Sequence, residues 1–226
     1  ASMASMLSYG GSFLGLMFVP LGTLGLMAAA READLARFPM PTMLVIGFKN
    51  GAAQSKKMVL MGFLYALLFC FILVLSTFFD NGEFARMYMS GSSLNEENIV
   101  NEDFQTAALF CLLMYLPLST LFWHAPALMH WHAQPLAKSI FFSFMACWRN
   151  LKAFMVYVMV WGLIFMGSAI LALLVTSLLG NPQLMTAAFL PLGLMVAGMF
   201  FTSMLFSVRD CFATDVLDEA APEPIN

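Results

Sequence analysis

Charge is scarce in this chain. Only 10% of its 226 residues are Asp, Glu, Lys or Arg, against 61% that are hydrophobic. A soluble domain carries about 25% charged residues, and so few could not cover a core of this size in water. Five runs, residues 11–30, 58–79, 104–122, 153–179 and 184–208, contain no Asp, Glu, Lys or Arg. Each is near or above the roughly 20 residues a helix needs to cross about 30 Å of hydrocarbon. The alternating segments of ~10 residues that mark a transmembrane β-barrel are also missing. These absences exclude a water-soluble globule. They predict an all-α polytopic transmembrane bundle, with a single helical domain over residues 1–212 and an acidic tail over 213–226.

Other absences narrow the chemistry. Cys70, Cys111, Cys147 and Cys211 show no CxxC spacing, so buried apolar thiols are expected rather than a disulfide framework. No phosphate-binding loop or nucleotide fingerprint occurs. No span holds an ionisable residue other than Tyr or Cys, whereas intramembrane proteases, pumps and ion-coupled carriers usually hold one. Ser76-Thr77 and Ser119-Thr120 have no base nearby in sequence, and such pairs more often bond a carbonyl on their own helix. The expectation is a non-enzyme with no catalytic residue and no cofactor.

The charges that are present are ordered. Nine of the ten Lys and Arg residues lie in alternate gaps between the runs. Arg31, Arg37, Lys49, Lys56 and Lys57 fill the first gap, Lys138, Arg149 and Lys152 the third, and Arg209 follows the last run. The gap 80–103 holds Arg86 against Asp80, Glu83, Glu96, Glu97, Glu102 and Asp103. Basic loops stay cytoplasmic. The expected location is therefore the bacterial inner membrane, with the C-terminus cytoplasmic and the loop 80–103 periplasmic. Nucleic-acid binding has no support, because the cations sit where topology requires them. This orientation puts Ala1 outside with no basic leader before it. It predicts a further upstream helix, six spans in all, with a processed leader as the alternative.

Two basic gaps share a layout. Pro39 and Pro41 precede an apolar stretch over about 40–50 that closes on Phe48-Lys49-Asn50; Pro135 precedes one over about 135–150 that closes on Trp148-Arg149-Asn150. Proline suits a first helical turn. In the second stretch Ile140, Phe141, Phe144, Met145 and Trp148 recur at helical spacing while Lys138 and Arg149 reach water. Two amphipathic helices on the cytoplasmic interface are predicted, or equally two caps packed on the bundle, and with them an internal repeat. The polar segment 81–103 reads as an irregular loop. The turn 180–182 should pair the last two spans antiparallel.

Methionine is the compositional outlier at 20 residues, with MxxM spacing at Met3/Met6, Met40/Met43 and Met58/Met61. Thioethers bind Cu(I), and imidazoles bind several metals. His124, His130 and His132 cluster after the third run and are the candidates for copper or haem handling. The alternative is Met as a flexible apolar filler and His as an interfacial anchor. Pro20, Pro117 and Pro191 could mark broken helices at a transport site. Otherwise they are kinks, with Gly22/Gly25, Gly162/Gly167 and Gly193/Gly198 as close-packing faces. Arg31-Glu32 ends the first run and Arg209-Asp210 the last, which suggests a rim network between Arg31, Glu32, Arg209 and Asp210.

The segments 25–32 (GLMAAARE), 125–128 (APAL), 135–137 (PLA), 143–150 (SFMACWRN) and 207–212 (SVRDCF) resemble motifs of an uncharacterised family of polytopic inner-membrane proteins of proteobacteria. The resemblance covers nearly the whole chain up to the acidic tail. It implies an inner-membrane helical fold with an additional N-terminal helix, and no established activity. The chain departs from the family pattern in carrying Met where Leu is usual. The functional expectation is a non-enzymatic accessory, scaffold or assembly subunit. Its partners would be membrane lipids and other integral membrane proteins. The alternative is a permease for a small apolar or zwitterionic solute.

Overall fold

A computed structural model describes residues 3–49, 51–92, 100–179 and 182–212, with the side chains of 3–8, 176, 179 and 182–190 excepted. The tail 213–226, the turn 180–181, residues 93–99, and Asn50 of the first basic gap lie outside the described residues. The described chain is all-α. Its helices are α1 (Met3–Asp34), α2 (Ala52–Asp80), α3 (Glu83–Ser90), α4 (Glu102–Phe122), α5 (Ala125–Trp131), α6 (Leu136–Arg149), α7 (Leu151–Leu179) and α8 (Pro182–Cys211), with a 3-10 helix over Pro41–Phe48. Five stretches among these residues are long and apolar enough to span a membrane: Tyr9–Asp34, Ala52–Asp80, Glu102–Trp131, Leu151–Val175 and Pro191–Cys211. Each covers most of one charge-free run.

The chain divides into two compact units. Unit 1 comprises Ala1–Gly25 and Leu44–Phe144; unit 2 comprises Leu26–Met43 and Met145–Asn226. The sequence had suggested one undivided helical domain.

Unit 1 has an apolar core. Leu16, Leu21 and Leu24 of α1 pack with Met58, Met61, Tyr65 and Ala66 of α2, Leu118 and Phe122 of α4, and Ala125 and Met129 of α5. The MxxM pair Met58/Met61 is therefore core filler, where an unbranched thioether adapts to irregular gaps. Backbones of α1 and α2 touch at Gly62, where any Cβ would collide with the Met17 carbonyl. Gly25 serves the 3-10 segment in the same way, since a Cβ there would stand 2.5 Å from the Leu44 Cα. Of the six glycines expected to line helix contacts, only Gly25 does so. Gly22, Gly162, Gly167, Gly193 and Gly198 have nothing within 4 Å of a Cβ position.

Two expectations are corrected. The polar segment after α2 is not irregular throughout, because α3 forms within it. Gly82, at φ 85°, turns the chain, and the buried Asp80 carboxylate accepts hydrogen bonds from the backbone N–H of Gly82 (2.8 Å) and Phe84 (2.6 Å). An acid at a helix N-terminus satisfies orphan donors and favours the dipole. Phe84 and Tyr88 then pack against Phe104 and Phe69, at centroid distances of 5.5 and 5.2 Å.

The first basic gap forms a 3-10 helix instead of an amphipathic α-helix, and Val45 within it is non-helical at φ −109° and ψ 18°. β-branched Thr42, Val45 and Ile46 disfavour an α-turn, and the backbone contact at Gly25 fixes Leu44. The two basic gaps therefore fold differently.

The buried stripe of α6 is Ser139, Ser143 and Cys147, while Phe141 and Trp148 of its apolar set are exposed.

Unit 2 centres on the pair α7 and α8. Asn150 meets Cys211, Tyr157 meets Ser203, and Trp161 meets Phe200, so one helix ascends as the other descends. That is the antiparallel pairing the short turn predicted.

Candidate functional site

At the end of α4 the helix breaks at Trp123 and His124. Pro126 cannot donate to the Phe122 carbonyl. Two residues earlier, a side chain comes between the His124 N–H and the Thr120 carbonyl. The Ser143 hydroxyl stands between them, accepting from the His124 N–H at 2.9 Å and donating to the Thr120 carbonyl at 2.8 Å. A side chain inserted into the ladder is a recognised cause of kinks. Both Ser143 and His124 are fully buried. This insertion explains why α6 turns its small polar stripe inward. The Gln54 amide adds a bond to the Met129 carbonyl at 2.8 Å, tying α5 to the start of α2.

The histidines do not gather. His124 lies at the buried kink, His130 stacks edge-on against Trp131 at 6.4 Å, and His132 ends α5. Burial lowers the His132 pKa from its ordinary value, which favours the neutral imidazole. Among the described residues no three of His, Cys, Asp or Glu form a group able to hold a metal ion.

Among the described residues, two ion pairs lie at the rim. Arg209 bonds Asp34 at 2.6 Å, joining the last turn of α8 to the end of α1 within unit 2. Arg37 reaches Glu32 at 4.0 Å. Asp34, which the sequence reading left out, is the acid that meets Arg209, and Asp210 lines a cavity of about 350 Å³ with Asn150, Tyr157 and Cys211. An acid at a helix C-terminus opposes the dipole, so Arg209 neutralises an unfavourable end. Of the interfacial residues, Lys138, Trp148, Arg149 and Asn150 are all exposed. Asn150 also bonds the Ala146 carbonyl at 2.9 Å and the Cys211 thiol at 3.7 Å.

The larger of these two cavities lies in unit 1, is open at the surface and has a volume of about 470 Å³, within the roughly 300–1,000 Å³ typical of small-molecule sites. Leu16 and Val19 of α1, Tyr65, Phe69, Ile72 and Leu73 of α2, Phe84 and Tyr88 of α3, and Ala108, Cys111, Leu112 and Tyr115 of α4 line it. Pro20 and Pro117 flank it in sequence, and Pro191 belongs to the other unit. Sequence reasoning named those prolines but missed the three tyrosines, whose convergence from three helices has no linear spacing.

Composition, five spans and an all-α fold define a polytopic integral membrane protein. The chain is similar to a probable inner membrane protein of Burkholderia thailandensis, 28% identical over 216 residues that cover 94% of this chain and 79% of the relative. The resemblance to proteobacterial inner-membrane proteins, read from the motifs, agrees with this relative. No family model and no solved structure matches.

Proposed function

We propose that the protein is a non-enzymatic accessory, scaffold or assembly subunit of a larger inner-membrane complex, and that α7 of unit 2 meets the partner. The supporting observation is the bareness of this helix. Only 6% of its most apolar window is buried in protein, and Gly162 and Gly167 on it stand open. Small residues on a lipid-exposed helix let a second helix approach closely. Spans without ionisable side chains favour packing over chemistry. On α6, exposed Phe141, Phe142 and Trp148 beside Lys138 and Arg149 suit lipid contact at the interface. The charge asymmetry supports cytoplasmic basic gaps, a periplasmic segment 80–103 and a cytoplasmic C-terminus; reporters inserted after Ser92 and fused after Asn226 test this orientation.

Purification from native membranes in mild detergent should retain a stoichiometric integral membrane partner. Gly162→Leu should leave the purified chain as stable as before and lose that partner. A strictly solitary chain, or a partner retained unchanged by Gly162→Leu, overturns the reading.

A second reading, a permease for a small apolar or zwitterionic solute, draws on the unit 1 cavity beside Pro20 and Pro117. Copper or haem handling through His124, His130 and His132 has no comparable support.

A further inference from the structure

The cavity of about 350 Å³ in unit 2 has a chemistry that the packing role does not use. It lies at one end of the α7–α8 pair. Asn150 immediately precedes the span Leu151–Val175, and Cys211 closes the span Pro191–Cys211. These wall residues therefore sit where hydrocarbon gives way to headgroups. Three rings, Phe154, Tyr157 and Phe206, form the apolar part of the wall. Tyr157 is fixed there by the Ser203 hydroxyl at 2.6 Å and by the rings of Phe200 at 6.0 Å and Trp161 at 6.3 Å.

The polar part of the wall carries one sign of charge. Asp210 is its single ionised side chain. The described residues include every Lys and Arg of the chain, and among them none pairs with Asp210. Arg209, beside it in sequence, turns to Asp34. The Asn150 amide donates to the Ala146 carbonyl at 2.9 Å and to the Cys211 sulfur at 3.7 Å. Both amide hydrogens are then used, and its oxygen remains as an acceptor. The wall thus offers three oxygens, two from Asp210 and one from Asn150, beside aromatic rings. A primary ammonium has three N–H donors and no acceptor. It is also drawn to ring faces, and a cation suits the C-terminal end of α8.

The surroundings suit the rest of a lipid. Arg149 and Lys152 flank Asn150 in sequence and are exposed, as a phosphate requires. Leu151, Met155 and Phe206 are exposed apolar side chains on the same two helix ends, where an acyl chain would start.

We propose that this cavity binds the head of a membrane phospholipid that carries a primary ammonium. The ammonium lies on Asp210 and Asn150 against the three rings, and the phosphate faces Arg149 and Lys152. A quaternary head has no N–H for the three oxygens and binds more weakly. The site does not involve Gly162, so it is independent of the subunit role of α7.

The full chain in dodecyl maltoside serves for the test. Thermal unfolding is followed with dioleoylphosphatidylethanolamine, dioleoylphosphatidylcholine or soluble glycerophosphoethanolamine as separate additions. At saturation the ethanolamine lipid should raise the midpoint about 3 °C more than the choline lipid does. The soluble head should not reproduce that shift. Asp210→Asn keeps the shape, removes the charge and should weaken binding of the ethanolamine lipid about tenfold. Ala153→Leu narrows the cavity and should abolish the difference between the two lipids. Asp210 and Ala153 are both exposed, so both variants should fold. Gly162→Leu should keep the full difference, whatever it does to a protein partner. Equal shifts from the two lipids, a full shift from the soluble head, or a difference that survives both Asp210→Asn and Ala153→Leu overturns the proposal.

Discussion

Unit 1 and unit 2 are built from the same apolar alphabet and use it differently. In unit 1 the most apolar windows of α1 and α2 are 44% and 39% buried in protein, whereas α7 of unit 2 is 6% buried. Gly62 lets two backbones touch, while Gly162 faces open space. Hydrocarbon is as apolar as Leu, so burial alone gives helices no reason to associate in a membrane. Close backbone approach and interhelical hydrogen bonds decide which helices pack. Unit 1 has both, at Gly62, Ser143 and Gln54. Unit 2 has a helix pair held by Tyr157, Ser203 and the ring contacts of Phe200, and most of the described part of α7 is exposed. One region is a finished core, and the other presents a surface.

That contrast is most directly challenged by the same substitution in both places. Gly62→Leu should cost about 1–3 kcal/mol or more by overpacking, and Gly162→Leu should change stability by less than about 1 kcal/mol. Unfolding of the two purified variants in detergent checks this, and equal losses would erase the distinction.

Next in size is Ser143→Ala. It leaves the buried His124 N–H and Thr120 carbonyl without their bridge, at about 1–3 kcal/mol. Hydrogen exchange should quicken at the amides around the kink and remain unchanged in α7.

Cys147 gives a pH-dependent test within unit 2. Burial, with a smaller contribution from the neighbouring Cys211 thiol, pushes the Cys147 thiol from 9.0 up to about 12. The folded group is therefore neutral at pH 8 and should resist iodoacetamide until the chain is unfolded. Because the folded pKa is raised, its stabilising contribution is present below about pH 9 and disappears as pH climbs toward 12. Labelling of native Cys147 as fast as an unfolded thiol would show that unit 2 is open there too.

The smallest effect belongs to Arg209 and Asp34. Both are partly exposed, and a double-mutant cycle with Arg209→Ala and Asp34→Ala should return a coupling of about 0.2–1 kcal/mol. A coupling of zero would leave the end of α1 unattached to α8.

Much of the fold was legible because membrane insertion is nearly additive along a segment. The five charge-free runs and the antiparallel α7–α8 pair follow from local composition. The missed features depend on residues far apart. Helix α3 forms because Asp80, at the end of the preceding span, caps it, and because Phe69 and Phe104 receive its rings. Asp34 was overlooked because the rim network was read over Arg31, Glu32, Arg209 and Asp210, the charges directly at the ends of the runs. The structure instead sets the last turn of α8 against a residue three positions beyond Arg31. Periodicity grouped the aromatics of α6 on one apolar face but could not show that Ser143 is needed at the broken helix, which turns Ser139, Ser143 and Cys147 inward. The three tyrosines of the cavity are 23 and 27 positions apart along the chain, so no motif announces them.

The sequence by itself determined membrane residence, the number of apolar spans and the charge asymmetry that sets an expected orientation. Those properties are sums over neighbouring residues, each with its own cost of transfer into hydrocarbon. Only the tertiary structure decided which glycine is crowded and which is open, which acid meets Arg209, and that three phenols share one cavity. Those are pairwise distances between remote segments, and in a solvent as apolar as the side chains themselves, hydropathy carries no information about them.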